Sequence, residues 1–407
     1  MRQQRRSIVM QVLGLALATA QAGSASIARA QVNPLAPYAS IATKEVNYYG
    51  PGRDAAYDLT DVMIPIGLVV PLYGPRQAEG EAIIAAAQLA LADAAAQGPL
   101  PAGRRLTLVL GDESGPSWSA TAAALTQLVL DKRAIAVITS ANGATAHLSE
   151  QVGNRIGVAI LTLASDKTTT QIDLPWIFRL GPTDAQEART IAEDVYRRQS
   201  LHRVLLITEN DHDGRRGFAE FRDAARELGA PPAASLVLDV ARSDAVSVVD
   251  AVRANSSQAI VSWTRACTAR TLIHALNGEG IAIPLYVTQE AAQEVSGLDL
   301  TPQGDGAVQK SGRVEVWSIA PQAQPSPMKG DFARRFREAR GVAPSPVAAE
   351  AYDAVLLIAQ AVRNAGPNRA RVRDRIAAAR NWPGMSGEIS FDKEGNNLAG
   401  VRLERLR

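Results

Sequence analysis

A chain of 407 residues exceeds what one ordinary core holds and predicts two domains of roughly 100–200 residues each. Its 46% apolar and 21% charged content excludes the disordered, collagen-like and membrane-embedded classes. Arg2, Arg5, Arg6 and Arg29 lie in an acid-free N-terminal stretch; taking those four from the 43 bases leaves 39 against 41 acids, and this near-neutral balance excludes the basic face of a nucleic-acid binder.

Residues 1–30 read as an export leader: a basic start, an apolar run at 8–20 too short to span a bilayer, and a small-x-small exit at Ala28-Arg29-Ala30, which predicts cleavage after Ala30. Arg5-Arg6 leaves both the general secretory and the twin-arginine routes open. No cysteine follows the apolar run, so a lipid anchor is not expected, and the lone Cys267 has no partner within the chain. Residues 31–61, rich in Pro, Gly and Tyr and without periodicity, predict an extended arm.

From residue 64, short β-branched runs alternate with amphipathic stretches, the pattern of βαβ units around a parallel sheet. Strands are expected at 64–70, 106–112, 134–138 and 158–163, with helices at 80–95, 119–130 and 144–156. A second series places helices at 184–198, 217–228, 245–254 and 268–277 among strands at 204–208, 233–237, 259–263 and 284–288. Beyond it come a strand at 313–319, helices at 346–365 and 371–379, and a late β pair at 387–391 and 400–403. The fold expected is α/β, with two lobes and a cleft between them: lobe 1 from 62–179 plus about 318–380, lobe 2 from 180–317 plus about 381–407.

Signatures of catalysis are lacking: there is no GxSxG, GxxxxGK[ST], HExxH or CxxC, and His147, His202, His212 and His274 form no compact metal motif, so no metal, cofactor or catalytic residue is expected. Asp211-His212-Asp213 is open to two readings, a helix cap or an acid–base cluster. In doubly wound sheets ligands collect at the carboxyl ends of strands, which selects the loops at 71–75, 140–143, 164–167, 209–215, 264–265 and 289–290. Trp118 and Trp263 suit either stacking or core packing, and Tyr73 is the preferred aromatic ligand contact.

Several segments, in order, resemble the amino-acid-binding branch of the type I periplasmic solute-binding family, which includes the Leu/Ile/Val-binding protein: Ile66-Gly67-Leu68-Val69-Val70-Pro71-Leu72-Tyr73-Gly74-Pro75, Asp112-Glu113, Ile160-Leu161-Thr162-Leu163-Ala164-Ser165, Pro175-Trp176-Ile177-Phe178-Arg179, Ala351-Tyr352-Asp353-Ala354 and the run 387–395. They extend over nearly all of 62–400. The resemblance implies two doubly wound parallel-sheet lobes joined by a multi-strand hinge, a small-molecule solute held between them, an inner-membrane ABC permease as partner, a monomer and free residence in the periplasm. It also implies a ligand set. Asn142, counted back from Thr145, or Ser140 stands at the family serine; Ala164 and Ser165 lie in the ligand-contacting segment; Glu290 matches the acid that meets an ammonium. Asp166, Asp213 and Arg265 (or Ala266) replace a threonine and two aromatics, which makes the cleft polar, with Arg265 and Asp166 one conceivable pair across it. A ligand sensor docking on a signalling receptor, and an exported α/β enzyme using Asp213 and His212, are the alternative readings.

Overall fold

The structure, a computed structural model, describes residues 62–115, 117–170, 175–240, 245–295, 313–322 and 327–406. The leader and the arm expected at 1–61 lie outside the described residues.

Met63–Val70 forms β1, in which Ile64, Ile66, Leu68 and Val70 enter one core while Val69 enters another on the opposite face. A strand covered on both faces must be apolar on both, hence the unbroken run. It pairs in parallel with β2 (Arg105–Asp112) and β3 (Ala136–Thr139); β4 (Ala159–Thr162) and β5 (Ile177–Arg179) complete a parallel sheet of order β2-β1-β3-β4-β5. Helix α1 (Gln77–Ala96) covers one face, and α2 (Ser117–Thr126) and α3 (Gly143–Ile156) cover the other.

The second lobe opens with α4 (Asp184–Ala192), started by a Thr183/Gln186 capping box. Then come β6 (Val204–Glu209), α5 (His212–Glu227), β7 (Ala234–Leu238), α6 (Ala245–Ala254), β8 (Ala259–Trp263), α7 (Ala266–Gly278), β9 (Pro284–Val287) and β10 (Glu315–Pro321). After β10 the chain returns to the first lobe as α8 (Pro327–Arg340), α9 (Pro346–Ala365) and α10 (Arg369–Ala377), then the two-residue strands β11 (Trp382–Pro383) and β12 (Glu388–Ile389). It crosses once more to end in β13 (Val401–Arg405), the antiparallel edge of a sheet ordered β13-β10-β9-β8-β6-β7. Three crossings join the lobes.

Four details differ from the sequence pattern. The strand expected at 313–319 belongs to lobe 2, because Glu315–Ser318 pair with Pro284–Val287; the return to lobe 1 therefore falls after 321 rather than near 318. Residues 382–391 stay with lobe 1, where Met385, Ile389 and Phe391 fill its core, so the last crossing comes after 391 rather than near 381. The late β pair dissolves: Glu388–Ile389 pair with Trp382–Pro383, and Val401–Arg405 pair with β10. Helix α8 was not anticipated, since charges dominate its sequence; its apolar contribution is Phe332 and Phe336, one turn apart on one face.

Candidate functional site

Each sheet has one topological switch point, where neighbouring strands send their following loops in opposite directions. In lobe 1 it lies between β1 and β3, in lobe 2 between β6 and β8. The two meet. The Gly143 N–H, at the start of α3, donates to Asp213 Oδ1 at 3.1 Å, from the start of α5 in the other lobe.

On the lobe 1 side, Arg76 pairs with Glu79 at 2.7 Å and with Glu113 at 2.9 Å. The Ser140 hydroxyl, fully buried, donates to Glu113 at 2.6 Å, and the Ala141 N–H donates to Glu79 at 3.0 Å. Burial pushes the Glu113 carboxyl up, partly offset by Arg76. Asn142 caps α3, its side-chain oxygen accepting from Thr145 N–H at 2.9 Å. Both side chains considered at the family serine are thus engaged within the lobe, one with a carboxylate and one as a cap. Ala164 is similarly engaged, donating its N–H to Thr162 and accepting from buried Arg179 at 2.8 Å. Ser165 accepts from Asp184 N–H through its carbonyl. Tyr73 stands at the rim, 57% exposed.

On the lobe 2 side, Arg265 makes an ion pair with Glu209 at 2.9 Å, donates to Val240 O, and its own N–H reaches Glu209 at 2.8 Å. It is therefore not the partner of Asp166. Glu209 ends β6 and Arg265 follows β8, and these strands are hydrogen-bonded neighbours, so the pair closes within one sheet. Asp211 caps α5 by accepting from Gly214 N–H at 2.8 Å, which is the capping reading of that cluster. The helix start sits hard against β6: a side chain at Gly214 would meet Glu209 O at 2.0 Å, and one at Gly217 would meet Trp263 at 2.0 Å. Trp263 is 5% exposed and packs in the lobe 2 core, while Trp118 is 68% exposed.

Among the described residues, small cavities of about 20 Å³ lie where the lobes meet, one near Arg76, Asn142, Asp211 and Arg265 and another near Ala141, Ser165 and Glu187; Asp213, Trp263, Thr288 and Glu290 line both. That is room for about one water. Burial pushes Asp213 up to about 7 and holds Glu290 well above the ordinary glutamate value, with Glu79 raising it further. Arg76 and Arg265 are taken up by Glu79, Glu113 and Glu209, so Asp213 and Glu290 are left without an ion-pair partner among the described residues. The cleft carries surplus acid.

Beside this lies a second junction. Asp166, 1% exposed, meets His147 Nε2 at 3.0 Å from lobe 1 and His212 Nε2 at 2.6 Å from lobe 2, and is ion-paired, without a hydrogen bond, to Arg216 Nε at 3.2 Å. Arg216 also meets Glu220 at 2.6 Å, and Glu220 meets Lys167 at 2.6 Å. Of the residues expected at the site, Asp213, Glu290, Asn142, Arg265 and Ser165 come together around the small cavities; Asp166 belongs to the adjoining junction, and Ser140, Ala164 and Tyr73 do not line them. Arg76, Glu79 and Glu113 were not among the expected site residues, and Glu209 entered only as the first residue of the selected loop 209–215. Arg76 directly follows the first Gly-Pro loop and Glu113 directly follows Asp112 at a strand end, so position alone could have found those two.

Two parallel-sheet lobes crossed three times by the chain, their switch points facing, define the fold of a type I periplasmic binding protein. The profile of the periplasmic binding protein family matches residues 63–401, and the chain belongs to that family. Among solved structures it is similar to the branched-chain amino acid transporter substrate-binding protein LivJ of Streptococcus pneumoniae in complex with isoleucine, at 20% identity over 84% of this chain and 99% of that one, with a TM-score of 0.71. It is also similar to a solute-binding protein of an ABC transporter from R. palustris in complex with benzoate (18% identity, 85% and 93% coverage, TM-score 0.73) and to the leucine-binding protein LivK of Thermotoga maritima (19%, 84% and 94%, 0.70). No curated protein sequence matches the chain. No helix among the described residues is long and apolar enough to cross a membrane.

Proposed function

We propose that the protein is the exported solute-binding component of an ABC importer: it captures a small solute between its lobes by hinge closure, presents the closed form to an inner-membrane permease, and performs no chemistry itself. The observation that carries this is the pair of switch points brought face to face, with the Gly143 N–H of one lobe meeting Asp213 of the other. A cavity of about 20 Å³ does not admit an amino acid, so solute enters with the lobes apart and exchanges these interlobe contacts for its own. Membership of the family and the solute-bound structures similar to this chain support a binding role. The solute class follows from charge. Among the described residues Asp213 and Glu290 form no ion pair, and Arg76, committed to Glu79 and Glu113, offsets their charge only in part, so a solute bearing an amine relieves their repulsion, whereas a simple aromatic monocarboxylate adds to it.

A thermal-shift panel of amino acids, polyamines, small carboxylates and aromatic acids tests this, because a ligand at about 100 Kd stabilises by roughly 2.7 kcal/mol. Amine-bearing solutes should raise the melting temperature and benzoate-like acids should not. A shift with carboxylates alone would overturn the solute class, and no shift at millimolar concentration would overturn the binding role.

A further inference from the structure

We propose that His147, His212 and Asp166 form a binding site for a divalent transition-metal ion that ties the two lobes together. His147 lies in the second turn of α3, His212 opens α5, and Asp166 follows β4, so the three are remote in sequence and brought together only when the lobes meet. One ligand atom from each falls within 4.8 Å of the others. Both imidazoles bring Nε2 within hydrogen-bond distance of the same carboxylate oxygen, His147 Nε2 lying also 2.9 Å from the Thr168 hydroxyl, and their rings stand 5.5 Å apart, edge to face.

Nitrogen and oxygen ligands about 2.1 Å from a zinc-type ion sit about 3.4 Å from one another in a tetrahedron. The two separations from Asp166, 3.0 and 2.6 Å, need open by about 0.4 and about 0.8 Å, and the ligand atoms of the two imidazoles lie within 4.8 Å of each other. Two histidines and one carboxylate leave the fourth position for water or a solute group, and imidazole ligation favours zinc, copper or nickel over magnesium or calcium.

The surroundings fit a dication. Glu150 Oε2 lies 3.6 Å from His147 Nδ1, the outer carboxylate that commonly orients a metal-binding imidazole. Glu150, Asp166, Asp184 and Glu220 are met by Arg216 and Lys167, with buried Arg179 acting on Asp184 and Asp166 from farther off, an excess of one negative charge if both imidazoles are neutral. Arg216 approaches the other oxygen of Asp166, so it and the metal would share that carboxylate from opposite sides. Gly143 permits the arrangement, for a side chain there would meet His212 at 3.0 Å and Asp166 at 3.2 Å.

The test is titration calorimetry of the full-length protein, stripped with chelator, against Zn2+, with Co2+ absorption as a report of imidazole ligation. One ion per chain is expected, lost in His147→Ala and in His212→Ala and retained in His202→Ala, a histidine exposed on lobe 2. Glu150→Gln, which keeps all three ligands, should weaken affinity by roughly 10–100-fold. Should His147→Ala fail to fold by circular dichroism, His147→Gln and His212→Ala carry the comparison. Absence of saturable Zn2+ binding, or binding that survives both histidine substitutions at full affinity, overturns the site. An unchanged radius of gyration on adding Zn2+ would overturn its role in closure. Because the metal is titrated without solute, this result is independent of whether any solute is transported.

Discussion

At the scale of single residues, the side chains nearest the cleft divide into those that hold their own lobe and those that reach across. Arg265 is of the first kind. It covers Glu209, which is 2% exposed and also accepts from Thr268 at 2.7 Å. Arg265→Ala leaves that carboxylate buried without its cation, and breaking such a pair costs about 3–5 kcal/mol. Urea unfolding of the solute-free protein should register a loss of this order, and adding Glu209→Gln should recover part of it through coupling of the two sites. A solute-binding defect with unchanged solute-free stability would instead place Arg265 on the ligand. The sequence supplied Arg265 and Asp166 as polar residues at strand ends but not their partners: Glu209 is 56 positions from Arg265, and only adjacency of β6 and β8 makes them neighbours.

At the scale of elements, the loop after β9 is gripped by a carboxylate from each lobe. Glu187 on α4 accepts from Gln289 N–H, and Glu350 on α9 accepts from the Gln289 side chain. Both are buried, and burial pushes each up to about 8; the neighbouring acids add to this, Asp184 beside Glu187 and Asp353 beside Glu350, while Arg179 opposes it at Glu350. An acid whose folded value is raised binds its proton in the folded state while the unfolded chain has released it. Stability therefore falls as pH rises from about 4.5 to about 8, by at most about 1.4 kcal/mol per pH unit for each group. Glu350→Gln should leave stability near pH 4.5 almost unchanged and raise it at pH 8, flattening the pH profile of the unfolding free energy; a profile parallel to that of the unsubstituted protein would exclude Glu350 as its source. Elements themselves were largely legible. Strands buried on both faces and Ala-rich helices follow from local periodicity, whereas β13 and the short strands β11 and β12 depend on partners that periodicity does not name.

At the scale of the whole molecule, the question is what sets the balance between apart and together. Gly143 sits at the contact itself, where an added Cβ would lie 2.4 Å from Asp213 Oδ1. Gly143→Ala is therefore expected to disfavour closure, while inside lobe 1 it crowds only Asp166 Cβ, at 3.2 Å, so that solute-free stability changes by no more than about 1 kcal/mol. Small-angle scattering at saturating solute should show a larger radius of gyration than for the unsubstituted protein. A large drop in solute-free stability would mean instead that the interlobe contact helps hold the fold together.

The sequence by itself determined the α/β class, the two βα series, the strand-end loops where a ligand would gather and the family resemblance, because apolar periodicity and strand-to-loop transitions are local properties of the chain. The tertiary structure alone decided which sheet takes β10 and β13, that Arg265 closes on Glu209, and that His147, Asp166 and His212 converge. Those outcomes depend on which strands become neighbours and on how two separately cored lobes meet, and contacts between remote segments leave no period in the sequence.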